Sequence, residues 1–226
     1  MDALVVGAAP RPAEEAFYRA LLADAPLVVA ADAAGEWCTA LGRTPEIVVG
    51  DFDSSATGAP GRLRGLGVDV RSVPAHKDVS DLDLAVAAAR EQGAREVVLT
   101  AAFSARLDHT LAAFGTLAAS ADVLGEAREP DFVAWALDAI ARPSLRLAVA
   151  PGTLVSVFAV GPARGVTLEG FEYPLRDAPL DALSTLGLSN VAAAEHVVLS
   201  VASGCLIVYA VVTDGMAAPQ VLGDAL

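Results

Sequence analysis

Short, continuous apolar runs alternate with longer amphipathic segments through roughly the first 125 residues of this chain. The apolar runs are "ALVVG" (3–7), "LVVAAD" (27–32), "EIVVGDFD" (46–53), "VDVRSVP" (68–74) and "EVVLTAAF" (96–103). The segments with helical spacing between and after them cover residues 13–23, 35–42, 80–94 and 108–121. Strands that are apolar on both faces and alternate with helices are typical of a parallel sheet covered on both sides. We therefore predict an N-terminal α/β domain.

The pattern changes after Arg128-Glu129-Pro130. "DFVAWALDA" (131–139) alternates as a strand does, and from Leu145 onward apolar runs are separated by proline and glycine turns. We interpret "HVVLSVASGCLIVYAVV" (196–212) as a β-hairpin that turns at Ser203-Gly204. The C-terminal part is thus predicted to be an antiparallel β domain, with the boundary near residues 125–145.

Composition limits the partners that the chain can have. Its 226 residues are 54% hydrophobic, which favours a packed core, and 28 acidic against 15 basic residues give a formal net charge of -13. An acidic surface repels phosphate backbones, so we expect no sequence-independent binding of nucleic acid. A nucleotide could still bind through divalent cations placed between carboxylates and phosphates.

Cysteine usage and hydropathy favour a cytoplasmic protein that does not enter a membrane. Cys38 and Cys205 are far apart and form no Cys-x-x-Cys pair, so we expect reduced, buried thiols rather than a disulfide framework or a cysteine zinc site. The most apolar segment, residues 197–212, is interrupted by serine and glycine and is shorter than the ~18 residues of a membrane helix. The N-terminal apolar run is too short for a signal peptide.

Acidic residues collect where the predicted parallel strands end. Asp32 closes the second strand, and Asp51 and Asp53 close the third. Ligands of parallel α/β sheets bind outside the carboxyl ends of the strands. On an extended backbone Asp51 and Asp53 would face the same side, and a hard cation with oxygen ligands would relieve their repulsion. The alternative is that Asp-x-Asp-Ser only caps a turn or the following helix.

The segment "HKDVSD" (76–81) lies between the fourth strand and the next helix. Ser80 and Asp83 resemble a capping box, which explains those two residues but not their neighbours. Asp81 suits the first helical turn, where the helix dipole favours an anion. Helix capping and a functional role are therefore both open for this segment.

Arg106 and Asp108 follow the fifth strand and precede a helix. They could be an ion pair and an N-cap, but an arginine that faces metal-binding acids also suits phosphate recognition. We assign no histidine to a metal. The sequence has no Gly-x-x-x-x-Gly-Lys-Ser/Thr loop, no Gly-x-Gly-x-x-Gly after the first strand and no Gly-x-Ser-x-Gly elbow. Any phosphate chemistry must therefore depend on carboxylates, metal and isolated basic residues.

Taken together, these motifs resemble those of thiamine pyrophosphokinases. The matching segments are "AAD" (30–32), "PEIVVGDFDSS" (45–55), "KDVSDLDLAV" (77–86) and "RLDHTL" (106–111), followed by "TLVSVFAV", "GFEYPL" and "GLSN". The resemblance implies a Rossmann-like α/β catalytic domain with a parallel sheet over residues 1–140. It also implies an antiparallel β-sandwich domain for thiamine binding and dimerisation over residues 141–226, and a homodimer with active sites between subunits. The implied reaction is the Mg²⁺-dependent transfer of pyrophosphate from ATP to thiamine, which gives thiamine diphosphate and AMP.

The resemblance also assigns roles to individual residues. The metal ligands that it implies are Asp51, Asp53 and Asp81. The catalytic residues that it implies are Asp51, Asp53, Asp81, Arg106 and Asp108. The ATP-binding residues that it implies are Asp32, Ser54, Lys77, Ser80, Arg106 and Thr110, and the thiamine-binding residues are Ser189 and Asn190. Which aspartate accepts the proton of the substrate hydroxyl is left open.

The chain departs from the family pattern at three places. Ala33-Ala34 and Ser104-Ala105 stand where the family usually has paired glycines, and Val191 stands where glutamate is common. An alanine Cβ fills space that glycine leaves to a ligand or to the backbone. Two alternatives therefore stay open: a pyrophosphokinase for another heterocyclic alcohol, such as a hydroxymethylpterin, and a catalytically weak relative that binds a nucleotide or a thiamine derivative.

Overall fold

The computed structural model describes residues 1–53, 55–76, 78–123, 125–213 and 217–222. The chain divides into two compact units, Met1–Thr116 and Leu117–Leu226. The predicted boundary between functional domains at residues 140 and 141 lies inside the second unit and stays a prediction.

The first unit contains a parallel sheet with helices. Its strands are β1 (Ala3–Val6), β2 (Val28–Ala31), β3 (Ile47–Gly50), β4 (Asp69–Ser72) and β5 (Val97–Thr100). They pair in parallel in the order β5-β1-β2-β3-β4. Every residue of β1, β2, β3 and β5 is buried, which explains their unbroken apolar sequences. The strand order reverses between β5 and β1, so the carboxyl ends of the strands are the expected ligand-binding edge.

The helices of the first unit are amphipathic and bury small or apolar residues. They are α1 (Glu15–Asp24), α2 (Ala34–Ala40), α3 (Ala59–Gly65), α4 (Asp81–Glu91) and α5 (Leu107–Ala119), within which the chain passes to the second unit. Tyr18 of α1 is fully buried and makes edge-to-face contacts with Phe17 and Trp37. These contacts fix α1 and α2 around the apolar side chains that β1 and β2 contribute to the same core.

The second unit consists of two antiparallel sheets. Its strands are β6 (Glu126–Glu129), β7 (Phe132–Asp138), β8 (Ser144–Ala148), β9 (Leu154–Ala159), β10 (Ala163–Glu169), β11 (Leu175–Leu180), β12 (Asn190–Val191), β13 (His196–Ser200), β14 (Cys205–Val211) and β15 (Gln220–Val221). One sheet has the order β12-β9-β14-β7-β6 and the other has the order β11-β10-β13-β8-β15.

Side chains from both sheets of the second unit form one buried core. In one sheet Val208 lies opposite Trp135 on one neighbouring strand and Val157 on the other. In the other sheet Leu199 lies opposite Leu145. All five side chains belong to the same buried cluster, which is the arrangement of a β-sandwich. The predicted fold class, a parallel-sheet α/β part followed by an antiparallel β part, is confirmed.

The predicted hairpin around Ser203-Gly204 is wrong. β13 pairs with β8 and β10, whereas β14 pairs with β7 and β9 in the other sheet. The short link between β13 and β14 therefore crosses from one layer of the sandwich to the other. Both strands bury alternate apolar residues in the same core, so their sequences look like two strands of one hairpin.

Several elements were not predicted from the sequence, α3 and β6 among them. The segment that forms α3 begins with Gly58-Ala59-Pro60-Gly61, which looks like a loop, but proline is accepted in the first turn of a helix because no backbone donor is needed there. The strand β6, with the sequence Glu-Ala-Arg-Glu, is too polar to read as a strand.

Both cysteines are free thiols, Cys38 buried and Cys205 half-buried. Burial raises the pKa of Cys38 to about 12 and that of Cys205 to about 11, so both stay protonated near neutral pH. Among the residues that the structure describes, no helix is long and apolar enough to span a bilayer.

Candidate active site

Asp32 is held rigidly at the carboxyl end of β2. Its backbone has a φ of 48°, a left-handed conformation that aspartate tolerates better than most residues. Its N–H donates to the carbonyl of Val49 at 2.9 Å, and its own carbonyl accepts from Gly35 at 3.1 Å. The residue is only 6% exposed. The side chain therefore leaves from a backbone fixed on both sides, by β3 and by α2.

Gly50 allows β3 to end close against Asp32. A Cβ at Gly50 would lie 3.0 Å from the Cα of Asp32 and 3.2 Å from its backbone nitrogen, so only glycine fits without a shift. The chain then turns, because Phe52 has a φ of 61° and the N–H of Asp53 donates to Oδ1 of Asp51 at 3.2 Å.

The expectation that Asp51 and Asp53 share one face of an extended strand is therefore wrong. The strand ends at Gly50, and a turn through the left-handed Phe52 replaces the period-two alternation. The turn nevertheless brings the two carboxylates together, since their oxygens belong to one compact group.

That group contains Asp32, Asp51 and Asp53. One carboxylate oxygen of each lies within 4.8 Å of one oxygen of each of the others. The hydroxyl of Ser55 donates to Oδ1 of Asp32 at 2.8 Å. Three oxygens at this spacing could surround one hard cation such as Mg²⁺. Asp81 is not a member of this group, and its predicted role as a metal ligand stays a prediction; Ser54 lies outside the described residues.

The capping box at the start of α4 is present. The N–H of Asp83 donates to Oγ of Ser80 at 3.1 Å, and the N–H of Ser80 donates to Oδ2 of Asp83 at 3.1 Å. The other oxygen of Asp83 accepts from the hydroxyl of Thr116 at 2.6 Å, which ties α4 to α5. Asp81 is the first residue of the helix, as expected. Binding of ATP by Ser80 stays a prediction, and Lys77 lies outside the described residues.

Arg106 and Asp108 form an exposed bidentate ion pair in the segment that follows β5. The guanidinium donates from Nε to Oδ1 at 3.2 Å and from Nη2 to Oδ2 at 2.5 Å. These hydrogen bonds lower the pKa of Asp108 to about 2, and the same carboxylate raises the pKa of Arg106. The side chains are 68% and 65% exposed. Arg106 can therefore exchange its carboxylate partner for a phosphate without a burial cost.

Ser189 and Asn190 lie in the second unit, where their side chains are placed very differently. Asn190 is 4% exposed, and its Oδ1 accepts from the backbone N–H groups of Tyr173 (3.1 Å) and Val191 (2.9 Å). Its Nδ2 donates to the carbonyl of Tyr173 at 2.7 Å. Ser189 is exposed, and its backbone N–H donates to Oγ of Ser156 at 3.0 Å. Asn190 thus holds the backbone of Tyr173 and Val191 in place through its side chain, an arrangement that we call the Asn190 bracket. Ser189, by contrast, is exposed to solvent.

Family models match two successive parts of the chain. Residues 18–123 match the catalytic domain of thiamin pyrophosphokinase, and residues 144–206 match the vitamin B1 binding domain of thiamin pyrophosphokinase. The chain belongs to the thiamin pyrophosphokinase family. The acidic group and the Arg106–Asp108 pair lie in the part that matches the family's catalytic domain, and Ser189 and Asn190 lie in the part that matches its vitamin B1 binding domain.

Solved structures share the fold over nearly the whole length of the chain. The thiamine pyrophosphokinase from Bacillus subtilis has a TM-score of 0.77 at 21% identity, and 95% of this chain and 100% of that chain are covered. The thiamin pyrophosphokinase from Geobacillus thermodenitrificans has a TM-score of 0.75 at 26% identity, with 96% and 100% covered. The enzyme from Candida albicans has a TM-score of 0.71 at 11% identity, with 94% and 89% covered, which shows the fold alone. A search of curated protein sequences found no match.

Sequence reasoning missed two features of the site. Asp32, which the resemblance assigned to ATP and not to the metal, lies with Asp51 and Asp53 because β2 and β3 are neighbours in the sheet, and its contact with ATP stays a prediction. Ser55, whose hydroxyl contacts Asp32, was given no role, whereas its neighbour Ser54 was assigned to ATP. Two adjacent serines offer no sequence signal that distinguishes their roles.

Proposed function

We propose that this chain is a Mg²⁺-dependent pyrophosphokinase that transfers the pyrophosphoryl group of ATP to the hydroxyethyl group of thiamine, giving thiamine diphosphate and AMP. The observation that carries the proposal is the group formed by Asp32, Asp51 and Asp53 at the carboxyl ends of β2 and β3. It occurs in a chain whose two parts match the two domains of this family.

The acidic group fits a magnesium ion in its donor chemistry. All three donors are carboxylate oxygens, which Mg²⁺ prefers, and their spacing allows a shared cation. Asp32, Asp51 and Asp53 would hold the ion, which when bound would neutralise charge on the phosphates of ATP. A buried carboxylate beside two others is costly without such a cation, so the group is better suited to a ligand than to stability.

The remaining chemistry is assigned to the chain's own side chains. Arg106 offers a planar guanidinium to the phosphate oxygens, on which negative charge accumulates during transfer. The thiamine hydroxyl attacks the β-phosphorus, and the bond from that phosphorus to the oxygen of AMP breaks. An aspartate of the site that lies near the hydroxyl accepts the proton. Catalysis is then mainly positioning and charge neutralisation.

The other parts of the proposal follow the family. Ser80, together with Lys77, would contact ATP, and the exposed Ser189 would contact thiamine within a domain that spans residues 141–226. Asn190 would shape that pocket through the backbone of Tyr173 rather than by direct contact. The chain would act as a homodimer in the cytoplasm.

An acceptor screen tests the proposal. The purified protein is incubated with ATP and Mg²⁺ together with thiamine or a hydroxymethylpterin, and AMP and the pyrophosphorylated product are detected by mass spectrometry. We expect AMP and thiamine diphosphate with thiamine only. Product with the pterin only would show that the acceptor is another heterocyclic alcohol. Binding of ATP without AMP formation would show that the chain is a catalytically weak relative.

Matched variants test the metal site. Asp51→Asn and Asp53→Asn should each lower the rate on the order of 100-fold or more, because a ligand of the charge-neutralising ion is lost. The control is Asp69→Asn, since Asp69 is an exposed carboxylate that begins β4 and pairs with Arg71. Mg²⁺ should raise the melting temperature of the wild type and the control but not that of Asp53→Asn. Full turnover in both cluster variants would remove the metal assignment.

A further inference from the structure

The hydroxyl of Thr110 closes the segment that carries Arg106. This hydroxyl accepts a hydrogen bond from the backbone N–H of Ser104 at 3.2 Å and donates one to the carbonyl of Ser104 at 2.9 Å. One side chain in the first turn of α5 thus satisfies both backbone groups of a residue six positions earlier. Such a contact fixes the backbone at the beginning of the segment.

The backbone of Arg106 is fixed by the same two residues. Its N–H donates to Oγ of Ser104 at 3.2 Å, and its carbonyl accepts from the N–H of Thr110 at 3.1 Å. Four hydrogen bonds therefore join Ser104, Arg106 and Thr110, and we call this set the Ser104–Thr110 latch. Both backbone groups of Arg106 are engaged within the latch.

The base of the latch is packed, whereas its tip is in solvent. Phe103, which is 4% exposed, contacts the ring of Phe114 on α5 with ring centroids 4.9 Å apart. Arg106 and Asp108 are about two-thirds exposed. Because the tip is exposed, packing adds little stability there. A fixed backbone does, however, reduce the conformational entropy that is lost when a ligand orders the exposed charged side chains.

We propose that Ser104 and Thr110 are positioning residues that preorganise Arg106 for the phosphates of ATP. In this proposal Thr110 acts on ATP indirectly, through the backbone of Arg106, and not by the direct contact that the resemblance implied. The inference rests on the proposed function, because it takes Arg106 as the phosphate ligand. The hydroxyl of Thr110 makes both of its hydrogen bonds to Ser104 and leaves one acceptor position for any other partner.

The test measures binding of a non-hydrolysable ATP analogue with Mg²⁺ by calorimetry. Thr110→Val keeps the shape of the side chain but removes both hydroxyl hydrogen bonds, and we expect it to weaken binding by about three- to tenfold. Thr110→Ser keeps the hydroxyl and should bind within about twofold of the wild type. The KM for thiamine should stay unchanged in both variants. Thr39→Val is the control, since Thr39 also donates its hydroxyl to a backbone carbonyl, that of Gly35 in α2.

A double-mutant cycle separates positioning from general stabilisation. In an Arg106→Ala background, Thr110→Val should cause no further loss of analogue binding, because the group that the latch positions is gone. Equal losses in both backgrounds would overturn the inference, as would wild-type binding by Thr110→Val. Ser104→Ala, which removes only the bond to the N–H of Arg106, serves if Thr110→Val does not fold, and it should weaken binding by about two- to fivefold. Failure of the wild type to bind the analogue would instead refute the proposed function.

Discussion

The acidic group of the first unit and the Asn190 bracket of the second show two outcomes of the same sequence signal. In both places polar residues follow or begin strands in an apolar context. In the first unit three carboxylates converge, with one oxygen of each within 4.8 Å of the others. In the second unit the amide of Asn190 is bonded to three backbone groups of Tyr173 and Val191.

The difference between the two regions follows from the chemistry of the side chains. An ionised carboxylate only accepts hydrogen bonds, so three of them together repel each other and need a cation or donors. An amide both donates and accepts hydrogen bonds, so one asparagine can satisfy backbone N–H groups and a backbone carbonyl at the same time. Convergent acids therefore suit a bound cation, whereas a buried asparagine can serve the framework alone.

Removing the bracket should have the largest effect on stability. Asn190→Ala leaves two backbone N–H groups and one carbonyl without their partner, and we expect the free energy of unfolding to fall by about 2–4 kcal/mol. Urea denaturation at neutral pH measures this change. Ser189→Ala is the matched control, because its side chain is exposed, and it should stay within about 0.5 kcal/mol of the wild type. An unchanged urea midpoint for Asn190→Ala would show that the Asn190 bracket does not stabilise the fold, and it would then not differ in this way from the acidic group.

A change at Gly50 should affect both activity and stability. A Cβ there would lie 3.0 Å from Cα of Asp32, so the backbone of Asp32 or of β3 must shift by a few tenths of an ångström. We expect Gly50→Ala to cost about 1–3 kcal/mol of stability through overpacking. If Asp32 holds the metal ion as proposed, AMP formation should fall at least about tenfold, since small displacements of a group that positions the reactants are costly.

The control for Gly50 is Gly65→Ala. Gly65 lies in α3, and a Cβ there would meet no heavy atom within 4 Å. Alanine should stabilise this helix position by about 0.5–1 kcal/mol or leave it unchanged. If Gly50→Ala retained full activity, the position of Asp32 would not matter for the reaction.

Much of the first unit could be predicted from sequence because its signals are local. β1, β2, β3 and β5 are buried on both faces, so each appears as an unbroken apolar run, and the capping box of Ser80 and Asp83 needs only residues three apart. The position of Asp32, Asp51 and Asp53 at the ends of strands was also predicted. Which strands are neighbours is not a local signal, however, and the group of three forms because β2 lies beside β3.

The same limit explains the error in the second unit. β13 and β14 are adjacent in sequence and separated by a turn, yet they lie in different sheets. Each strand alternates in the same way whether its partner is the next strand or a distant one, so the local pattern cannot choose between them. The left-handed φ of Phe52 could not be predicted either, since phenylalanine rarely adopts this conformation.

The smallest effect is expected at the exposed ion pair of Arg106 and Asp108, where charge is present without burial. The hydrogen bonds from Arg106 lower the pKa of Asp108 from 3.8 to about 2, so the pair is fully formed above the ordinary carboxyl range and is lost only as the pH falls toward 2. Between pH 5 and 9 its ionisation does not change. Because the pair is exposed and screened by solvent, Asp108→Asn should leave the urea midpoint unchanged at every pH in this range, in contrast to Asn190→Ala. A midpoint for Asp108→Asn that is lower than that of the wild type at pH 7, with a difference that disappears in high salt, would show that this exposed pair also stabilises the fold. The division between binding residues and framework residues would then fail at the site itself.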